Sequence, residues 1–476
     1  MARLTTGVQD VEVGSAPLER FRRLLAGEVW NDLVHHMSAL ATTTRGRIVW
    51  NVNSTAHGGG VAEMLASILP YERDAGIDAR WTVIGGSPEF FQATKKIHTL
   101  LHGVLPRDGL LTDEDRRHYE AGCSRNAEAL ARTIREGDVA ILHDPQTTGL
   151  VPALAQRGVH VIWRSHIGVD RPNGLAREAW TFLRPYLAPA SAFIFSRRAH
   201  VWDGLDETRI RIIPPCIDPF ATKNEDFIAD SATAILQAAG ILSGRDGDAV
   251  FLRHDETPAH VVRSADAGGT VLPPEAQIVT QVSRWDRLKD PAGVMDAFVR
   301  HIAPRGDAYL VLAGPAATSV TDDPEEPEVL RGLKARRESI PASIRDRVVI
   351  AQLPMQDTEE NAAIVNALQR RSDVVVQKSL AEGFGLTVAE AMWKSRPVVA
   401  SRVGGIEDQI EDGKSGLLVD DPADLQAFGA AVVRLLDDRA LAAGLGREAR
   451  TRVAHSFITP RHLINEAQLI TGLLDH

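Results

Sequence analysis

An α/β architecture of two doubly wound domains is the fold class this sequence predicts, and three observations predict it. From Arg47 onward, short apolar runs alternate with segments of helical apolar spacing, the pattern of βαβ units and a mainly parallel sheet covered on both faces. The alternation breaks at "RIRIIPPCIDPF" and resumes near Ala276. A chain of 476 residues is also too long for one ordinary core, so two or more domains are expected.

In chain order, a helical extension precedes Arg47, and "RIVWNVN" reads as the first strand of the alternating series. Behind it, Val61, Met64, Leu65, Ile68 and Leu69 fall at helical spacing. "ARWTVIG", helical stretches through Gly137, "DVAILHD", "VHVIWRSHIG", the helix "GLAREAWTFLRPYL" and "SAFIFS" continue the series. Two adjacent prolines and Pro219 then mark a hinge between domains. From Ala221 to Pro274 the chain is less periodic, with a helical piece near "ADSATAILQAAG" and a glycine-rich polar segment. The second series follows: "AQIVTQVSRWD", the helix "PAGVMDAFVRHI", "AYLVLAG", "RVVIAQL", "DVVVQKS", the helix "LTVAEAMWKS", "PVVAS" and "GLLV". Between these, "VTDDPEEPEV", around Asp322 to Glu328, reads as an acidic, solvated loop. The segment from Ser456 to His476 is amphipathic enough for a helix that crosses back to the first domain. The expected domains are therefore 1–215, 216–455 and the returning helix 456–476.

The net charge of −10 argues against a nucleic-acid-binding surface. Two cysteines, Cys123 and Cys216, are too few for a disulfide scaffold or a zinc site, and no metal cluster is visible. With no apolar leader at the N-terminus and no apolar stretch of membrane-spanning length, a cytoplasmic protein without membrane contact is expected.

The chemistry begins at "NSTAHGGGVAEML". Three consecutive glycines between a strand and a helix call for a φ > 0 turn or for close approach of the backbone to something, and free N–H groups at a helix start suit an anion. A tight βα turn without ligand fits the same residues. In "SRWDRLKDP", Arg284 and Lys289 stand just beyond a strand, at the start of a helix headed by Asp290 and Pro291. Two such cations suit a diphosphate leaving group, although loop cations in water would look alike. In "AEGFGLTVAEAM", Glu382 precedes Gly383 and Gly385, which let the backbone approach a ligand, and a helix starts near Leu386. Glu390 lies two turns further. One glutamate suits a hexose and the other a ribose; the alternatives are a first-turn carboxylate for Glu382 and a surface helix carboxylate for Glu390.

Arg284 and Lys289 in R-x4-K spacing, then Glu382 and Glu390 in E-x7-E with Gly383, Phe384 and Gly385 inside it, resemble the retaining GT-B glycosyltransferases of family GT4. "PPCIDP" and "VGGIEDQI" also look like that family, and the resemblance covers nearly the whole chain from about Arg47. It implies the GT-B fold: two facing Rossmann-like doubly wound domains with an active-site cleft between them. It also implies that Arg284 and Lys289 hold the donor's diphosphate, that Glu382 contacts the transferred sugar and that Glu390 binds the nucleotide ribose. Gly383, Phe384, Gly385 and Leu386 would line the donor site, with Gly59 and Gly60 approaching the diphosphate from the first domain. "NSTAHGGGVAEML", "FFQATKKIHTLLHG", "HDPQ" and "WRSHIG" are similar to one subgroup, the glycosyltransferring trehalose synthases and the related retaining trehalose phosphorylases. The implied reaction joins glucose from a nucleoside diphosphate glucose to free glucose with retention, and it needs no cofactor and no essential metal. His166 would sit near a sugar hydroxyl in a catalytic role, while Asp144 and Gln146 are candidates for the acceptor's hydroxyls. Asp144 fits equally an N-cap ahead of Pro145. Cys216 departs from the family pattern at the hinge. A homodimer is left open by the resemblance.

Phosphorolysis with glucose 1-phosphate, another GT4 acceptor, a sugar-nucleotide epimerase and a non-enzymatic sugar-binding role are the competing readings. The last leaves the two cations without a task.

Overall fold

Along the strand Tyr309–Pro315, Leu310 and Leu312 enter one apolar cluster while Val311 and Ala313 enter another, and all four are buried. Successive side chains point to opposite faces of a sheet, so a strand covered on both sides reads as a continuous apolar run. That arrangement recurs through the chain. The structure, a computed structural model, describes residues 7–56, 59–227, 231–244, 247–268, 271–316 and 326–475.

Two compact units divide the chain: one extends to Cys216 and takes in the chain again from Thr459, and the other is Ile217–Ile458. The first holds a seven-stranded sheet built from β1 (Gln9–Val11), β2 (Val49–Asn53), β3 (Ala79–Val83), β4 (Val139–His143), β5 (His160–Ser165), β6 (Ala192–Phe195) and β7 (Ile210–Ile212), in the order β1-β3-β2-β4-β5-β6-β7. Every pair is parallel except β1 with β3. β1 was not expected; three residues at a sheet edge are too short for a period-2 pattern to register. The proline-rich stretch is also not wholly a hinge. Its first residues form β7, and regular pairing ends just before Pro214, which disfavours further regular structure. Helix Gly27–Thr43 packs on the final helix, Thr459–Leu474. Trp163, Trp180 and Trp202 form a buried aromatic cluster in this unit, with Trp163 edge-on to Trp202 at 4.9 Å.

After Ile217 the less periodic stretch proves ordered. Helix Ser231–Ala238 packs on helix Thr358–Arg371, and β8 (Val250–Leu252) pairs antiparallel with β9 (Pro258–His260). The second sheet is parallel throughout: β10 (Ile278–Val282), β11 (Tyr309–Pro315), β12 (Val348–Leu353), β13 (Val374–Gln377), β14 (Val398–Ser401) and β15 (Leu417–Val419), in the order β12-β11-β10-β13-β14-β15. The acidic loop is corrected in part. Positions 322–325 lie outside the described residues, but Glu326 opens helix Glu326–Glu338 and is buried. No described helix is long and apolar enough to cross a membrane. In open sheets of this kind, ligands bind beyond the carboxyl ends of the strands. The candidate residues lie at such ends.

Candidate active site

In the second unit, β10 ends at Val282, and its loop carries Arg284 and Lys289 before Asp290 caps helix Pro291–Ala297. Asp290 accepts the Gly293 N–H at 2.9 Å through one oxygen and pairs with the Lys378 ammonium through the other. Lys378 lies just past β13, so the cap ties two strand ends together. The tie is repeated. Leu380 N–H donates to Leu288 O at 2.7 Å, and Gln281 Nε2 donates to Lys289 O at 2.9 Å. Lys289 Nζ meets Glu382 Oε2 at 2.5 Å, and Ser379 Oγ donates to the same oxygen at 3.3 Å. Lys289 and Glu382, 93 positions apart, are thus in contact. The Arg284 side chain remains 53% exposed, with Asp286 at 3.8 Å.

Beyond Glu382, Gly385 adopts φ +87° and leads into helix Leu386–Trp393, whose start has no side-chain cap. Val388 N–H donates to Gly385 O at 3.0 Å, so the N–H groups of Leu386 and Thr387 are the ones a helix start of this kind can turn toward an anion. "VGGIEDQI" finds its purpose here. A β-carbon on Gly404 would lie 1.6 Å from Glu382 O, and one on Gly405 would lie 2.6 Å from Phe384 Cα, so only glycines let these two loops pack. Gly405 N–H donates to Gly383 O at 3.1 Å. The Phe384 ring is buried and packs against Phe457 at 5.7 Å. Any contact of Phe384 with a ligand therefore falls to its backbone. Glu382 lies before the helix and is no first-turn carboxylate, and Glu390 is no surface residue: it is 3% exposed. Lys223 approaches Glu390 Oε1 at 3.6 Å, while Oε2 is buried with no hydrogen-bond partner.

In the first unit, Asp144 follows β4 with φ +65°, a costly backbone for a non-glycine residue. It occupies the N-cap position before Pro145 but its side chain does not cap; Oδ1 instead accepts the backbone N–H of His166 at 2.8 Å. That contact joins the ends of β4 and β5. Burial pushes the Asp144 carboxyl up to about 7, against the effect of this hydrogen bond and of Arg164. Gln146 lies in the short helix Pro145–Thr148, and its Oε1 is buried with no partner. His166 contacts a residue that the sequence reading passed over. His143 Nδ1 lies 3.0 Å from His166 Nε2, and His143 Nε2 lies 2.9 Å from Asn51 Oδ1. Burial, followed by the nearby Arg164, lowers His143 to about 3, and the same two causes hold His166 well below the ordinary imidazole range.

Gly59 has φ +87° with open space where a β-carbon would be, and helix Gly60–Asp74 starts there without a side-chain cap. Gly58 lies outside the described residues. Sequence reading also missed Lys378 and Lys223, whose partners are distant in the chain. For His143 a signal was present: a histidine closing a buried strand immediately before Asp144 in "HDPQ".

Comparison with known proteins gives the family. Residues 51–202 match the family model "Trehalose synthase, N-terminal domain", and residues 263–452 match "Glycosyl transferases group 1". The chain is 35% identical over 474 residues to a trehalose synthase of Rubrobacter xylanophilus, covering 98% of this chain and 99% of the relative. It is 27% identical over 472 residues to a trehalose phosphorylase of Pleurotus pulmonarius, covering 92% of this chain and 58% of that protein. Among solved structures, a trehalose-6-phosphate protein of E. coli bound with UDP-2-fluoro glucose superposes with a TM-score of 0.65 at 14% identity, over 90% of this chain and 99% of that one. At that identity the likeness speaks for the fold, which is GT-B. With its matched family models, its full-length relatives and its two sheets of parallel strands, the chain belongs to the trehalose synthase family of GT-B glycosyltransferases and is a hexosyltransferase enzyme.

Proposed function

We propose that this enzyme transfers glucose from a nucleoside diphosphate glucose to the anomeric hydroxyl of free glucose, with retention, to give α,α-trehalose. The observation that carries the reading is the contact of Lys289 with Glu382 before the uncapped start of helix Leu386–Trp393, with Arg284 on the same loop as Lys289. Two cations on one loop and the first N–H groups of the helix would suit a diphosphate, next to a carboxylate that can accept sugar hydroxyls. In the ligand-free protein Lys289 is held by Glu382, and an arriving diphosphate gives the ammonium a second anion. Glu390 would accept a ribose hydroxyl on its unpartnered Oε2, while Lys223 steadies the other oxygen.

Asp144, Gln146 and His166 would hold sugar hydroxyls: burial disfavours the charged forms of Asp144 and His166, and Gln146 Oε1 is buried without a partner. In the transfer, a donor phosphate oxygen takes the proton of the incoming hydroxyl, the bond from C1 to the phosphate oxygen breaks, and the glycosidic bond forms on the same face of the ring. Arg284 and Lys289 stabilise the charge gathering on the diphosphate. The reading carries with it a cytoplasmic protein that uses no resident cofactor and no metal, with dimer formation left to measurement.

The relative named trehalose phosphorylase supports a second reading, in which inorganic phosphate or glucose 1-phosphate occupies the diphosphate site and Glu390 has no ribose to meet. One incubation separates the two. Purified protein given a nucleoside diphosphate glucose and free glucose, without phosphate or metal, should produce a single symmetric disaccharide by NMR. Trehalose formed only from glucose 1-phosphate would establish the phosphorylase, and a product with a reducing end would mean a different acceptor hydroxyl.

A further inference from the structure

Asn51, His143 and His166 lie on or just past three neighbouring strands, the two histidines at carboxyl ends and Asn51 within its strand. Asn51 is in β2, opposite Ile141 of β4; His143 closes β4, opposite Arg164 of β5; and His166 follows β5 by one residue. Asn51 and His143 are 1% and 2% exposed; Asn51 Oδ1 and both ring nitrogens of His143 have partners inside the protein, while Asn51 Nδ2 has none. With the Asn51 amide oxygen turned toward His143, the partners assign the hydrogens. An amide oxygen only accepts, so the hydrogen in the 2.9 Å contact belongs to His143 Nε2. A neutral imidazole carries one hydrogen, which leaves Nδ1 a lone pair, and the 3.0 Å contact to His166 must then be supplied by His166 Nε2–H. His166 in turn keeps a bare Nδ1. Its backbone N–H is pinned separately by Asp144 at 2.8 Å, so ring and main chain are both held.

We infer that Asn51 and His143 form a positioning relay that sets the tautomer of His166, so that His166 presents a hydrogen-bond acceptor to a sugar hydroxyl. The inference rests on the reading above, in which His166 meets the sugar. The relay deepens that reading by naming the chemistry selected: a hydroxyl has a hydrogen to give to a bare Nδ1, whereas a phosphate ester or a deoxy position has none. An anionic oxygen placed there would face a lone pair. Neither Asn51 nor His143 touches the substrate in this account, and each acts only through His166.

Selective ¹⁵N-histidine labelling of the full chain tests the relay without any turnover, with the His166 signals identified by their absence in His166→Gln. A protonated Nε2 and bare Nδ1 on His166 is the expected pattern; the opposite tautomer would mean that the Asn51 amide is turned and donates, and the proposal fails. Two variants carry the test into catalysis. In His143→Gln the side-chain amide can donate to Asn51 Oδ1 and accept from His166 Nε2–H, repeating the polarity of the imidazole, whereas His143→Leu can do neither. kcat/KM should fall by about tenfold to a hundredfold in His143→Leu, with His143→Gln recovering much of that loss. Equal losses in the two variants would reduce His143 to a space-filling residue. Should His143→Leu not fold, the tautomer of the wild-type protein decides alone. If wild-type protein makes no trehalose from the two sugars while His166 shows the expected tautomer, the proposed reaction has failed and the relay has not.

Discussion

At the ends of β10 and β13, the second unit keeps its charges and pairs them: Lys289 with Glu382, and Lys378 with Asp290. At the ends of β4 and β5, the first unit holds titratable groups just as close together but disfavours their charged forms, with His143 and His166 pushed down and Asp144 pushed up. On the proposed function, the difference matches the ligands each would meet. A diphosphate is recognised by full charges, which must be ready before it arrives and therefore need counter-ions meanwhile. A sugar offers neutral hydroxyls, and a neutral carboxyl, amide or imidazole can exchange hydrogen bonds with them without a desolvated ion.

The comparison breaks most readily on the charged side. Arg284→Ala should lower kcat by about a hundredfold or more, with a thermal midpoint close to wild type, because its half-exposed side chain supports little of the fold. Steady-state kinetics beside a melting curve measure both. Unchanged turnover would remove the diphosphate from the second unit.

Within that unit the two carboxylates should part company. Glu390→Gln is expected to weaken binding of the bare nucleoside diphosphate by about tenfold, since a charged acceptor is lost, while Glu382→Gln leaves that affinity undiminished and impairs transfer. Calorimetric titration without sugar reads the first effect. If the two variants bind the nucleotide alike, the ribose and hexose roles have been exchanged or misplaced.

The smallest effect lies in the first unit and concerns pH. Asp144 has its folded pKa raised from 3.8 to about 7, so the native state retains a proton that the unfolded chain has already lost over that interval. Folding is therefore penalised increasingly from about pH 4 to pH 7 and by a constant amount above. Asp144→Asn removes the ionisation and can still accept the His166 N–H. It should gain stability over wild type by about 1 kcal/mol or more at pH 8 and by almost nothing at pH 4. Denaturant unfolding at the two pH values gives the difference, and a pH-independent value would show that the carboxyl is solvated.

Much of this was legible because it is local. The period of the apolar residues located every strand of the two sheets except β1 and β7, the helix Gly174–Leu187 was read to its ends, and Pro291 behind Asp290 announced a helix start that the side chain of Asp290 does cap. Glycines at 404 and 405 stood out as a pair, though not for their reason, since the backbone of Glu382 and Phe384 that a β-carbon would strike comes from another loop. β1 and β7 escaped notice because three residues at a sheet edge carry too little pattern. For Glu390 a surface carboxylate stood open beside the ribose role, because helical spacing alone does not reveal which face another element will cover.

By itself, then, the sequence determined the alternation of strands and helices, the glycine and cap positions that end them, and the residue types able to meet an anion or a sugar. Only the tertiary structure decided who faces whom. His143 meets Asn51 across 92 positions because β2 lies between β3 and β4, and Arg164 meets His462 at 2.9 Å across 298 positions because the final helix packs in the first unit. Those pairings set the charge state of each group through burial and neighbours, and both depend on strand order, which no local spacing encodes.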